Sequence, residues 1–360
     1  MGESLWEPYT PVRPDPTPPP APEPSTPPEP PAPQPRRRRG RRAVAVGCLS
    51  LVVLLGGGVG LALVLSERLG NNVTRVHNAF GEVDESNRPL PTGALTFLLV
   101  GTDSRSEETP PGVAANGRNS EGDVVMIAQI AADRRSATVV SIPRETWVAI
   151  PDRRPDRIAA AYSSGGPSLL IRTVESLTDL RIDHFAVIDF AGFRQMVDAV
   201  GGIDVDVTVP GAGFRTGPAH MDGAQALAYV RDGNGYLRGD RARRQQSALR
   251  AILVKAASSG TFTDPVRLYD LLDAASRSVG VDDTLSNGGL RALGLKLSEL
   301  GPTKVLFVRA PVAAVGLEGG RTAMRLDPVR APELWASIRN GSTADYVARN
   351  ASDVLGPLTR

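Results

Sequence analysis

Between Ala43 and Leu65 the chain runs for 23 residues without a charged side chain, and six arginines (Arg36–Arg39, Arg41 and Arg42) stand just before it. At about 1.5 Å rise per residue, a helix of that length crosses a hydrocarbon core of roughly 30 Å. The basic flank predicts the orientation, with residues 1–42 in the cytoplasm and residues 66–360 outside. A cleaved signal peptide has a shorter apolar region, about 7–15 residues, followed by a small-residue cleavage site. Leu65-Ser66-Glu67-Arg68 offers no such site. Gly47-Cys48 is similar to a lipoprotein cleavage site but lies only five residues beyond the arginines. The expectation is an uncleaved, single-pass anchor in the cell membrane with the main domain extracytoplasmic.

The flanking composition fits that topology. Residues 8–35 hold 15 of the 31 prolines and almost no large apolar side chain. Such a segment cannot bury a core, so residues 1–42 read as a disordered, Pro-rich cytoplasmic tail with local polyproline II character. They are too few to build a DNA-binding fold, which argues against a membrane-bound transcriptional regulator and leaves no nucleic-acid partner. One cysteine, Cys48, excludes an intramolecular disulfide. The three histidines are far apart and no CxxC or HExxH spacing exists, which argues against zinc.

Residues 66–92 are polar and turn-rich and read as a linker, residues 93–342 as the extracytoplasmic domain, and residues 343–360 as a tail. Leu95–Gly101, Val124–Ile130 and Ala137–Ile142 are short branched apolar runs, predicted as buried strands. Pro167 opens a predicted helix in which Leu170, Val174 and Leu177 share a face. Phe185–Ile188 and Ile203–Val209 read as strands separated by a helix ending at Gly201-Gly202. Lys304–Val308 reads as a late strand and Ala331–Ile338 as a late helix. The fold class is mixed α/β (α+β), a central mixed sheet sandwiched between helices. No internal repeat, GxSxG elbow, Walker loop or GxGxxG is present, and Gly211-Ala212-Gly213 lacks the strand–helix context of a phosphate cradle.

Residues 238–246, RGDRARRQQ, carry four arginines. Placed outside the membrane, they meet no nucleic acid. On a helix from Arg241 to about Ser258, Leu249, Ile252, Leu253 and Ala256 form the expected buried stripe. Arg241 and Arg244 fall on one flank of it, Arg243 and Arg250 on the other. With Asp240 as N-cap, Arg241 stands where free backbone N–H groups favour an anion, and two guanidiniums there suit a phosphate or pyrophosphate. Asp103 follows one predicted strand and Asp123 precedes the next; two carboxylates near arginines suit a hard cation such as Mg²⁺. Either aspartate is equally at home in a turn. Arg144, after the strand Ala137–Ile142, is a further candidate for the same pocket.

FLLVGTDSR (97–105), DVVMIAQI (123–130), VVSIPRETWV (139–148), RIAAAYSSGG (157–166), HFAVIDFAGFRQMVDAVGGIDVDV (184–207), MDGAQALAYVR (221–231) and RGDRARRQQ together resemble the LytR–CpsA–Psr family, in family order over residues 95–255. That resemblance implies a transferase of cell wall biogenesis. It would move a glycopolymer (teichoic acid, arabinogalactan or capsule-like) from a polyprenyl-pyrophosphate carrier to peptidoglycan. It also implies catalytic Asp103, Asp123 and Arg144, with Mg²⁺ on Asp103 and Asp123. The pyrophosphate would be bound by Arg144, Arg231, Arg241 and Arg244, joined by Arg118 and Arg238. The prenyl chain would need an apolar tunnel, for which Phe185, Phe190, Phe193 and Met196 are candidates. Glu121-Gly122-Asp123 stands where the family usually has Arg-Ser/Thr-Asp, Gly233 where a second arginine is usual, and Ala159 where asparagine is common. Two alternatives on the same fold are a pyrophosphate-lipid hydrolase and a non-catalytic lipid-pyrophosphate binder. The high Ala, Gly, Arg and Val usage points to a GC-rich, actinobacterial source.

Overall fold

The strand-forming runs of the sequence assemble into one mixed sheet. A computed structural model of the chain describes residues 68, 70–102, 122–208, 210, 212–232, 240–258, 265–298 and 302–355. The strands are β1 (Thr74–Val76), β2 (Leu95–Thr102), β3 (Gly122–Ile130), β4 (Ala137–Ile142), β5 (Trp147–Val148), β6 (Asp156–Arg157), β7 (His184–Asp189), β8 (Ile203–Val207), β9 (Gly217–Met221), β10 (Val279–Asp282), β11 (Val305–Arg309), β12 (Val312–Glu318) and β13 (Arg321–Leu326). Seven of them form the central sheet in the order β1-β10-β7-β2-β3-β4-β11. β2 runs parallel to β7 and antiparallel to β3, and β4 runs antiparallel to β3 and parallel to β11. The remaining six form hairpin-like pairs.

The helices are α1 (Ile158–Thr178), α2 (Phe190–Ala199), α3 (Gly223–Arg231), α4 (Asp240–Ser258), α5 (Pro265–Ser278), α6 (Asn287–Ser298), α7 (Arg330–Arg339) and α8 (Thr343–Arg349). Strand register assigns the faces. Leu98, Ile127 and Val140 are cross-strand partners and are buried with Leu170 and Val174 of α1 and Leu334 and Ile338 of α7. Leu99, Met126 and Ser141 are the next partners along, on the opposite face, where Leu249 of α4 packs near Met126. Because both faces are covered, β2 and β4 read as continuous apolar runs. β8 alternates buried and exposed positions, as expected of a strand with one wet face.

Several boundaries differ from the sequence reading. Residues 66–92 are not only a linker: Val76 in β1 is buried, and β1 extends the sheet beside β10. Arg88, just before β2, forms a buried ion pair with Glu175 of α1 at 2.9 Å. The tail also joins the fold, because Tyr346 of α8 is buried and donates to Asp353 at 2.8 Å. Pro167 does open a helix, as expected; α1 joins it to a preceding helical stretch from Ile158 across a kink at Gly166, whose backbone is non-helical with φ +66°. Among the described residues no helix is long and apolar enough to cross a membrane. The predicted span Ala43–Leu65 lies outside them.

Candidate active site

On the α2/α4 face the sheet and helices do not meet fully. They leave a cavity of about 230 Å³. Leu99, Gly101, Val124 and Met126 form its floor, Phe190, Phe193 and Met196 of α2 one wall, and Gln245, Leu249 and Ile252 of α4 the other. Nearly every lining side chain is apolar. α2 is seated closely: a Cβ on Gly192 would stand 2.5 Å from the Ser278 Cβ, and one on Gly223 would stand 2.3 Å from the Arg194 carbonyl. Gly is needed at both helix contacts.

Of the four expected tunnel residues, Phe190, Phe193 and Met196 line the cavity and Phe185 does not. Phe185 points through the opposite face of β7 and stacks on Tyr162 at 6.2 Å in the main core. Side chains alternate along a strand, and apolar character alone does not say which face borders a cavity.

The polar ends of several elements gather at one end of the sheet. β2 leaves the sheet at Thr102, whose register partners are Gly122 and Asp189. Asp123 follows Gly122 within β3, and Asp103 comes next in sequence after Thr102, the last described residue of β2. Asp103, Arg118 and Arg238 lie outside the described residues, as does the Asp123 side chain. Asp189 was not anticipated. It is buried, lines the cavity and caps α2, accepting from the Gly192 amide at 2.7 Å. A carboxylate three residues ahead of a helical glycine is a capping signal legible in Asp189-Phe190-Ala191-Gly192. Among the described residues, Thr102 Oγ1 is buried at this sheet end without a hydrogen-bond partner. Arg144 follows β4 at the same end and pairs with Glu145, Nε to Oε1 2.8 Å.

The arginines of α3 and α4 divide into two groups. Arg231 is exposed at the end of α3, and its guanidinium carbon lies 4.8 Å from the centroid of the Phe190 ring, at the cavity rim. Gln245, Leu249 and Ile252 form one stripe of α4 at steps of four and three, and Arg241 continues that stripe one turn toward the N-terminus. Arg244 does not share it. Its side chain is 2% exposed and points with Ala248 and Ala251 into the second core, where its Nη1 donates to the Asp232 carbonyl at 2.5 Å and its Nη2 to the Pro210 carbonyl at 3.1 Å. The guanidinium stands 5.7 Å from the Tyr229 ring centre. Burial pushes the Tyr229 phenol up, and Arg244 opposes that rise. The expected buried stripe shifts accordingly: Ala248, Ala251, Ile252 and Ala256 are buried, whereas Leu253 is 37% exposed. Arg243 and Arg250 are both half-buried.

The arrangement can hold an apolar chain with an anion at its end. The family model described as the LytR_cpsA_psr family matches residues 66–336. The chain belongs to the LytR–CpsA–Psr family. Among curated members, the chain is 31% identical over 324 residues to the cell wall biosynthesis protein LcpA of Corynebacterium glutamicum, covering 77% of this chain and 61% of LcpA. It therefore spans about three fifths of that relative. It is 31% identical over 240 residues to the polyisoprenyl-teichoic acid–peptidoglycan teichoic acid transferase TagU of Bacillus anthracis, covering 63% of this chain and 74% of TagU. The fold is that of a solved LytR-Csp2A-Psr enzyme from Actinomyces oris, with a TM-score of 0.55 and 22% identity, covering 70% of this chain and 93% of that one. The mixed sheet with helices on both faces is thus the LytR–CpsA–Psr fold, as the sequence motifs imply.

Proposed function

We propose that this LytR–CpsA–Psr protein is a phosphotransferase that attaches a glycopolymer from a polyprenyl-pyrophosphate carrier to peptidoglycan. We further propose that it acts from an extracytoplasmic domain anchored by Ala43–Leu65. The observation that carries the reading is the apolar cavity with Arg231 at its rim and Arg241 on the stripe leading into it. A prenyl chain gains affinity by burying methylenes, about 0.8 kcal/mol each. A pyrophosphate at the rim suits planar guanidinium donors. The names of LcpA and TagU, a cell wall biosynthesis protein and a teichoic acid transferase, point the same way.

In the proposed reaction a sugar hydroxyl of peptidoglycan forms an O–P bond to the phosphorus that bears the glycopolymer. The bridging P–O bond breaks, and polyprenyl phosphate leaves. The hydroxyl proton passes to a carboxylate, for which Asp103 and Asp123 are the candidates. Such a step asks the protein chiefly for positioning and charge stabilisation. Arg231, Arg241 and Arg144 would orient the pyrophosphate, with Arg118 and Arg238 as further candidates. Asp103 and Asp123 are suited in donor type, and by their sequence positions after the paired residues Thr102 and Gly122, to hold Mg²⁺, which would neutralise charge on the phosphate oxygens.

The test is transfer by the full chain in detergent, with a short-chain lipid-pyrophosphate glycan as donor and a peptidoglycan fragment as acceptor. Release of lipid phosphate together with a new phosphodiester on the acceptor is expected. Release that ignores the acceptor would make the protein a hydrolase instead. Tight binding without turnover at any Mg²⁺ concentration would make it a binder.

A further inference from the structure

Arg231 is the last residue of α3, so whatever fixes that helix end fixes the cation at the cavity rim. Asp232 closes the helix, its amide donating to the Ala228 carbonyl at 3.0 Å. Its Oδ2 accepts from the Ala212 amide at 2.6 Å. Its carbonyl accepts from Arg244 Nη1, and Arg244 Nη2 reaches the Pro210 carbonyl. Arg244 Nη1 also lies 3.7 Å from Asp232 Oδ2, with side-chain exposures of 2% and 9% for the arginine and the aspartate. One residue thus joins three segments: the 210–212 loop, the end of α3 and the first turns of α4.

We propose that Asp232 and Arg244 are positioning residues, which hold the Arg231 guanidinium at the cavity rim from behind and do not themselves touch the pyrophosphate. Arg244 spends donors on two main-chain carbonyls inside the second core, so a diphosphate bonded to it would have to enter that core. A buried guanidinium also needs a nearby negative charge, and Asp232 supplies it. The same carboxylate anchors the 210–212 loop. The pair therefore transmits the packing of α4 and that loop to the residue that follows them in function, Arg231. Arg241 occupies a different stripe of α4, which separates two of the four arginines of the basic segment, Arg241 and Arg244, into a rim residue and a tether.

This inference rests on the reading of Arg231 as a pyrophosphate ligand, and the experiment separates the two. Binding of farnesyl pyrophosphate and of farnesol is measured for the full chain in detergent, in wild type, Arg231→Ala, Asp232→Ala and the double variant. Arg231→Ala is expected to weaken farnesyl pyrophosphate about ten- to a hundredfold, the range for loss of one charge-assisted contact. Asp232→Ala is expected to weaken it about three- to tenfold, to leave farnesol unchanged, and to add nothing once Arg231 is gone, because the two act through one contact. Asp232→Asn keeps an acceptor for the Ala212 amide but removes the charge beside Arg244, and should recover only part of the loss; where the alanine variant does not fold, the cycle is run with asparagine, with a smaller loss that again vanishes without Arg231. An Asp232 effect that is equal with and without Arg231, or equal for farnesol, makes the pair merely structural and overturns the inference, as does no effect at all. If Arg231→Ala binds farnesyl pyrophosphate as wild type does, the functional reading fails and this inference with it.

Discussion

The Arg231 guanidinium lies over the face of the Phe190 ring, 4.8 Å from its centroid, and the same ring forms part of the cavity wall. Phe190 therefore touches both halves of the proposed ligand site, the apolar and the charged. A cation over an aromatic face near solvent gains about 0.5–1 kcal/mol. Phe190→Leu keeps an apolar wall and removes the ring. It should weaken farnesyl pyrophosphate about two- to fivefold while changing farnesol affinity little. Titration of both probes checks this; equal losses for the two would mean that Phe190 serves the apolar wall alone.

Leu249 points into the cavity from α4. Leu249→Trp places a large ring where the chain is proposed to lie. Displacing two or three methylenes from burial, at about 0.8 kcal/mol each, should weaken lipid binding about ten- to fiftyfold. Overpacking a filled core costs about 1–3 kcal/mol, but here the ring enters existing space, so the thermal midpoint should move little. Unimpaired lipid binding in a folded Leu249→Trp protein would mean that the chain lies elsewhere.

Much of the fold was legible because its strands are short, apolar and covered on both faces. Ala137–Ile142 is predicted and observed with the same ends. What escaped has a physical reason in each case. β1 is three residues long and is held by its neighbour β10 rather than by its own pattern. Residues 343–355 look like a tail because their anchor is polar, the Tyr346–Asp353 hydrogen bond, with Arg330 also reaching Asp353 at 3.2 Å. On α4 a hydrophobic wheel centres the buried stripe on leucines. The helix instead buries alanines together with Arg244 and Gln246, whose Nε2 donates to the Val308 carbonyl at 2.6 Å. A wheel scored on apolarity cannot show that a charged residue faces inward. It therefore groups Arg241 with Arg244, which packing separates, and it overlooks Gln245 on the cavity stripe.

Asp282 is fully buried at the far end of β10. Burial works against its ionisation. Hydrogen bonds from His184 at 3.1 Å, from Thr284 and from the Phe185 amide outweigh that, and hold the carboxyl below its usual 3.8. The folded state therefore binds this proton less readily than the unfolded state. The resulting stability is fully present above the ordinary carboxylate range and is lost as pH falls through it toward the folded value. Asp282→Asn should be destabilised relative to wild type near neutral pH, and the gap should narrow as pH falls from about 5 to about 3. Urea unfolding of both proteins across that range measures the gap. A gap that stays constant would mean that the ionised form of Asp282 contributes nothing.

Asp123 follows Gly122, the register partner of Thr102, and Asp103 comes after Thr102 in sequence, while the apolar cavity lies between the sheet and α2 and α4. Affinity and chemistry are thus assigned to different residues. On the proposed reading, the prenyl chain would supply binding through buried methylenes, and the carboxylates, with the Mg²⁺ they are proposed to hold, would act on charge that develops during transfer. Interactions made only in the transition state lower the rate and leave ground-state affinity in place. Asp103→Ala and Asp123→Ala should each reduce transfer by at least about a hundredfold, the scale on which a lost transition-state electrostatic contact is felt, with affinity for the prenyl chain alone, read with farnesol, within about threefold of wild type. Chelation of Mg²⁺ should stop transfer in wild type and leave little activity to remove in either variant. Glu121 adds a negative charge beside Asp123 in sequence, where the family usually has arginine. It should make pyrophosphate binding depend on Mg²⁺, and Glu121→Arg should relax that dependence. Transfer and binding are measured with and without Mg²⁺ in all four proteins. Turnover by Asp103→Ala and Asp123→Ala at the wild-type rate would remove both carboxylates from the mechanism and leave the arginines to carry it.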